Sequence, residues 1–167
     1  MRFLHGHDVT RYRMREKLFA IGEDYWIETE DGHRAFKVNG KALRARDTFV
    51  LESASGEELL KAQKKVLHIH DTMKIEHGGE TVATIKKALI APLRARFSVE
   101  IQAGGELRAK GKITDHEYKI EYGGTKVAQV SKRWFRVRET YGIEIAAGQN
   151  DALILATTAC IDEMSGR

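Results

Sequence analysis

The stretch NDALILATTACIDEM, residues 150–164, decides the fold. Elsewhere charged residues interrupt the chain every two or three positions, yet between Asp151 and Asp162 there is no charge. On a helix, Leu153, Ala156, Cys160 and Met164 share one face, Ile154 and Ile161 a second, and Leu155 with Ala159 a third. A helix that is apolar on every side has to be surrounded by other structure. Asn150 or Asp151 can cap its first turn. At ~1.5 Å per residue the segment spans about 22 Å, short of the roughly 30 Å hydrocarbon core of a bilayer, so a core helix is expected and a transmembrane one is not.

The remainder reads as strands joined by short turns. In RARFSVEI (94–101), Ala95, Phe97, Val99 and Ile101 alternate with Arg94, Arg96, Ser98 and Glu100, a period of two that sets one group inward. RVRETYGIEI (136–145) repeats the arrangement, with Val137, Tyr141, Ile143 and Ile145 expected inward against Arg136, Arg138, Thr140 and Glu144. Asp31-Gly32, Gly78-Gly79 and Gly123-Gly124 supply the positive φ angles of tight hairpin turns. The sole proline, Pro92, fits a strand start or an edge.

Internal repetition organises these strands. MKIEHGGETVATIKKALIAPLRARFSVEI (73–101) lies over YKIEYGGTKVAQVSKRWFRVRETYGIEI (118–145), with Lys74-Ile75-Glu76 on Lys119-Ile120-Glu121 and both Gly-Gly turns in register. A weaker copy precedes them in YWIETEDGHRAFKVNGKALRARDTFVLE (25–52). Each copy is a hairpin, a basic connection and an outward-bound strand. Three unequal copies are too few for a propeller. Antiparallel strands curling into one barrel fit better, because closure removes exposed edges.

Composition sets the outer limits. At 167 residues, one domain spanning 1–167 is the default. Hydrophobic content of 42% and charged content of 31% are those of an ordinary globular protein. The N-terminal MRFLHGHDV has no apolar run behind Arg2, so neither a secretory signal nor a transit peptide is read there and a cytoplasmic location is expected. One cysteine, Cys160, cannot form an internal disulfide, and its apolar setting predicts a buried thiol. Net charge of +4 permits an anionic partner without requiring one.

Four segments carry a family resemblance: YRMREKLFAIGEDYWIETEDGHRAFKVNGK, KKVLHIHDTMKI, DHEYKIEYGGTKVAQVSKRWFRVRETYGIEI and DALILATTACIDEM. In consistent order from Arg11 to Met164, they resemble the LURP-one-related family, whose members have the tubby C-terminal-like fold. The resemblance implies a mainly β protein, a closed antiparallel barrel of about 12 strands around a central hydrophobic C-terminal helix. The opening segment independently asks for that helix. Members of the family mostly have no established biochemical activity. Related tubby domains bind phosphoinositides through basic residues, and related phospholipid scramblases act on membranes with calcium. Neither set of functional residues transfers: tubby's lipid-binding positions do not map onto this chain, and AAGQND (146–151) replaces the acidic calcium segment of scramblases.

Three constellations are candidates for chemistry. The basic one comprises Lys86, Lys87, Arg94 and Arg96, then Lys132, Arg133, Arg136 and Arg138, with Arg44 and Arg46 at the equivalent place in the first copy. If two clusters share a face, arginine forks and lysine point charges could hold a phosphate-bearing head group. Trp134 and Phe135 would suit an interface between water and lipid. Otherwise the clusters are solvated strand faces. The second is histidine: His68-x-His70 with Asp71, and His5-Gly6-His7-Asp8, both short of the roughly four ligands of a closed zinc site. The third is Asp115-His116-Glu117 with Asp162-Glu163. On a strand, Asp115 and Glu117 would share one side and His116 the other, which argues against convergence on one reaction centre.

No Gly-rich phosphate loop, nucleophile elbow or Cys-x-x-Cys is present. The expectation is therefore a non-catalytic binding module, cytoplasmic or peripheral to a membrane, with no cofactor, no metal and no specific nucleic acid. Its partner is an anionic phospholipid or membrane surface bound by the basic residues. The alternative is a protein-interaction scaffold, its partner unknown, in which those residues merely solubilise. An enzyme ranks third.

Overall fold

The structure, a computed structural model, describes residues 8–63, 72–90 and 94–165. Its strands are β1 (Val9–Arg15), β2 (Tyr25–Thr29), β3 (Arg34–Val38), β4 (Thr48–Ser53), β5 (Glu58–Gln63), β6 (Thr72–His77), β7 (Glu80–Ile90), β8 (Arg94–Ile101), β9 (Glu106–Lys112), β10 (Glu117–Tyr122), β11 (Thr125–Ser131) and β12 (Thr140–Ala146). Each pairs antiparallel with its sequence neighbours, and β1 pairs with β12 from Val9↔Ala146 to Arg15↔Thr140, closing a barrel of twelve strands. Closure leaves no strand edge unpaired. A short helix α1 (Gly40–Arg46) joins β3 to β4, and helix α2 (Asp151–Ser165) follows β12 into the barrel.

The repeat has a geometric meaning. β2–β3–β4, β6–β7–β8 and β10–β11–β12 stand four strands apart, so the three copies occupy successive thirds of the circumference. Each hairpin shifts register at the same Ile-Glu pair, Ile27/Glu28, Ile75/Glu76 and Ile120/Glu121. A residue added there sharpens the local twist and helps the sheet to close. The Gly-Gly turns behave as the sequence predicts, with φ of 59° and 85° at Gly78 and Gly79 and 58° and 84° at Gly123 and Gly124.

Inside the barrel, Ile154, Leu155, Ala156, Ala159, Cys160, Ile161 and Met164 are all buried against strand residues such as Phe49, Ile75, Ile85, Phe97, Ile120 and Ile143. Asn150 caps the helix by accepting a hydrogen bond from the Leu153 N–H at 3.1 Å. Lys87, whose strand neighbours Ile85 and Ala83 are buried, donates to the Met164 carbonyl at 2.9 Å and so satisfies a C-terminal helix carbonyl. Asp162 fastens the same end twice. Its Oδ1 lies 2.6 Å from His116 Nε2, and its Oδ2 accepts from the Lys17 N–H at 2.7 Å. Both partners sit in left-handed backbone, Lys17 at φ 53° and His116 at φ 55°, which turns two connections toward one carboxylate. Burial pushes the Cys160 thiol up, in keeping with an inert core cysteine.

One strand reading needs correction. The alternation from Arg136 predicts Val137 inward and Thr140 outward, but β12 begins at Thr140, Val137 is 51% exposed and Thr140 is buried. The reason lies one segment earlier. Trp134 and Phe135 fold back over Gly142, where an added Cβ would stand 2.7 Å from Trp134 Cε3 and 3.1 Å from Phe135 Cδ2. Covering that glycine pulls residues 132–139 out of the sheet, and Glu139 at φ 60° turns the chain back into β12. The two rings in turn lie against Arg11, 4.4 Å from the Trp134 centroid, and Arg13, 5.8 Å from that of Phe135.

Candidate functional site

The outer face of β9–β11 is built by alternation. Leu107 and Ala109 are buried, which turns Arg108, Lys110 and Lys112 to the outside. Tyr118 and Ile120 are buried on β10, which turns out Glu117, Lys119 and Glu121. Register then sets Lys119 opposite both Lys110 and Gln129, and Glu121 opposite Arg108 and Lys126. Two lysines directly opposite would repel. Glu121 lies between them, 2.9 Å from Lys110 Nζ and 3.1 Å from Lys119 Nζ. Hydrogen bonds from Lys110 and then Lys119 hold its carboxyl below the usual carboxylate range.

Cations outnumber carboxylates on this face. Lys126 donates to the neutral Gln129 amide at 3.0 Å, and the Glu117 carboxylate turns to the Lys132 N–H at 3.0 Å and to Arg133 at 3.7 Å. Lys112, opposite Glu117, has no carboxylate partner among the described residues. The surface is open and only shallowly dished. A shallow trough of about 730 Å³ runs between Lys110, Lys112, Lys119, Lys126 and Arg133. A second of about 530 Å³, sharing Lys110, continues past Arg108 and Glu121 to Tyr122. Gly111 helps shape the floor, since a Cβ there would meet the Glu117 carbonyl at 2.8 Å.

The sequence-predicted basic residues divide among several places. Lys86 is exposed on β7, 3.6 Å from Glu100, and register runs from it through Ser98 to Arg108, so it extends the face. Arg96, opposite Ala88, is exposed on β8, the strand beside β9. Arg133 borders the trough. Lys87 points into the barrel as the α2 cap and is not on the face. Lys132 is tied to Glu16 at 2.9 Å. Arg136 and Arg138 are exposed in the connection leading to β12. The side chains of Arg94 and Arg46 lie outside the described residues, and Arg44 donates to the Gly22 carbonyl at 2.8 Å.

Lys110, Lys112 and Lys126, together with Lys119, are the residues that sequence reasoning did not select. For Lys110, Lys112 and Lys119 the signal was the alternation of ELRAKGK and EYKIEY, and Lys126 lies in TKVAQVS, all legible as strands but silent on which lysines share a face. The acid–base constellation resolves differently. Asp115 and Glu117 face outward and His116 is buried, stacked on Tyr141 at 4.5 Å, with Asp162 brought to it from α2. That pair braces the helix. His5, His7, His68, His70 and Asp71 lie outside the described residues, as does Pro92. Among the described residues, no helix is long and apolar enough to cross a membrane, which says nothing of strands.

Comparison with known proteins agrees with this architecture. Over 151 residues the chain is 24% identical to the uncharacterised protein YxjI of Bacillus subtilis, covering 90% of each. An X-ray structure of a protein from Arabidopsis thaliana superposes with a TM-score of 0.69 at 16% identity, covering 95% of this chain and 92% of the other, and so shares the fold. Residues 10–162 match the LURP-one-related family, and the chain, with its closed twelve-strand barrel and enclosed C-terminal helix, belongs to that family.

Proposed function

We propose that the protein is a non-catalytic binding module whose β9–β11 face associates with anionic phospholipid head groups at a membrane surface. The observation that carries this reading is the gathering of Lys110, Lys112, Lys119, Lys126 and Arg133 on one open, exposed face. Lysine suits the task, being a flexible point charge that can follow mobile head groups without a fixed fork geometry. Lys86 and Arg96 extend the same outward surface across β7 and β8. Each such charge near an anionic leaflet contributes about 1 kcal/mol, decaying over a Debye length of roughly 8 Å at physiological salt.

Vesicle flotation tests the proposal. Phosphatidylcholine vesicles containing phosphatidylserine should carry the protein, pure phosphatidylcholine vesicles should not, and binding should fall steeply with added salt. The Lys110→Glu/Lys119→Glu double variant should lose it. Negligible binding of folded protein to both vesicle types at every ionic strength would favour the scaffold reading.

A further inference from the structure

The barrel mouth through which α2 enters is incompletely filled. A cleft of about 580 Å³ opens between the ends of β5–β8 and the first turn of α2, with Leu60, Val82, Ile101, Ala152 and Leu153 among its walls. A second of about 230 Å³ shares Ile101, Asn150 and Leu153 with it and continues toward Leu107 and Tyr122. The two meet at Ile101, Asn150 and Leu153 and make one largely apolar groove. Barrel mouths are common ligand sites, and the larger cleft has the volume of a small-molecule pocket.

The rim decides what kind of molecule fits. His77 Nδ1 lies 2.7 Å from the Leu59 carbonyl, which can only accept, so Nδ1 carries a proton and Nε2 is the ring nitrogen left for a ligand. Asn150 uses its Oδ1 on the Leu153 N–H, which leaves its amide NH₂ to donate. Gln102 and Thr81 can each donate and accept. Among the described residues, Glu80 is the one carboxylate on this rim and neither cleft is lined by a lysine or arginine. An anionic head group would meet a carboxylate and no cation there. We infer that the groove binds an uncharged single-chain amphiphile, its alkyl chain along Val82, Ile101 and Leu153 and a hydroxyl-bearing head at His77, Gln102 and Asn150. The groove's inner end shares Tyr122 with the trough beside Arg108, but it shares no lining residue with the lysine trough and is opposite to it in electrostatic preference.

Titration of the full ¹⁵N-labelled chain with monodecanoylglycerol, kept below its micelle concentration, tests this inference, with decanoate at pH 8 as the charged comparison. Saturable amide shifts at Val82, Ile101, Gln102, Ala152 and Leu153 are expected, with decanoate about ten-fold weaker, equivalent to ~1.4 kcal/mol. Filling the groove with Ala152→Trp should reduce glyceride affinity at least about ten-fold while the cooperative melt is kept. Val82→Trp is the second filling variant if the first does not fold. The absence of saturable shifts, equal binding of glyceride and decanoate, or undiminished binding to a folded Trp variant would each overturn it. Vesicle binding through the basic face is read separately and should be unchanged by either filling variant.

Discussion

Two outward faces of one barrel use positive charge in contrasting ways. On β1 and its neighbours the arginines are already engaged: Arg11 with Glu144 at 2.7 Å and Glu30 at 3.3 Å, Arg13 with Glu28 at 2.6 Å, and Arg15 with Glu139 at 3.2 Å. Trp134 and Phe135 lie against the first two. On β9–β11 Lys110 and Lys119 share one carboxylate, Arg108 pairs with Glu106 at 2.7 Å and Arg133 lies 3.7 Å from Glu117, while Lys126 has a neutral partner and Lys112 has no carboxylate partner among the described residues. Both stretches look equally basic in the sequence. What separates them is how many carboxylates the register delivers and whether an aromatic ring covers the guanidinium. A cation with a fixed acid and a ring against it is part of the scaffold, and a surplus cation on an open face is available to a ligand.

The largest expected effect removes both faces together. Ile154→Asp places a carboxylate in the fully enclosed helix, and truncation after Gly148 removes the helix altogether. Burial of large side chains there contributes roughly 1.5–3 kcal/mol each, against a net stability of about 5–15 kcal/mol for a whole domain. Either change should abolish the cooperative thermal transition by circular dichroism. A truncated chain that still melted cooperatively would contradict the enclosed-helix account.

Next in size is Asp162→Ala. It leaves His116 without its carboxylate and the Lys17 N–H without its acceptor, in side chains only about a tenth exposed. Losing a carboxylate that accepts two part-buried hydrogen bonds should cost about 2–3 kcal/mol, lowering Tm by roughly 4–12 °C. An unchanged melting temperature would show that the two connections hold α2 without this carboxylate.

The closed face is probed by Gly142→Ala, whose Cβ has to displace Trp134. A cost of about 1–3 kcal/mol is expected. Trp134 fluorescence should shift to the red as the ring lifts from Arg11, with vesicle binding unaltered. The comparison between the faces would break if Gly142→Ala reduced lipid binding as much as it reduced stability.

Smallest in stability, and most telling for function, are changes on the open face. Lys110→Glu/Lys119→Glu should change Tm little, because exposed charges contribute only a few tenths of a kcal/mol each, yet binding to anionic vesicles should be lost. Glu121→Gln should act in the opposite direction, releasing two lysines and strengthening vesicle binding. The pH dependence of the Glu121 contribution follows from its lowered pKa. Its stabilising effect is present above the unfolded value of about 4.3 and is lost as pH falls through the folded one. Acid titration of the Glu121→Gln variant should lack that step.

The sequence by itself determined the enclosed helix, most of the strands and the threefold repetition. An uncharged run that is apolar on every side has one physical solution in water, and Phe97, Val99, Tyr141, Ile143 and Ile145 announce themselves by a period of two. It failed at Val137, where local alternation predicted a strand and the demand of Gly142 for cover pulled the chain away. Only the tertiary structure decided which basic residues share a face. Lys86 and Lys87 are adjacent in the chain, yet one points to solvent and the other caps a helix inside the barrel. Lys110 and Lys119 stand directly opposite one another because two strands pair in one register. Side-chain direction along a strand is a local property, whereas the company a side chain keeps across strands is set by closure and register, which no single segment encodes.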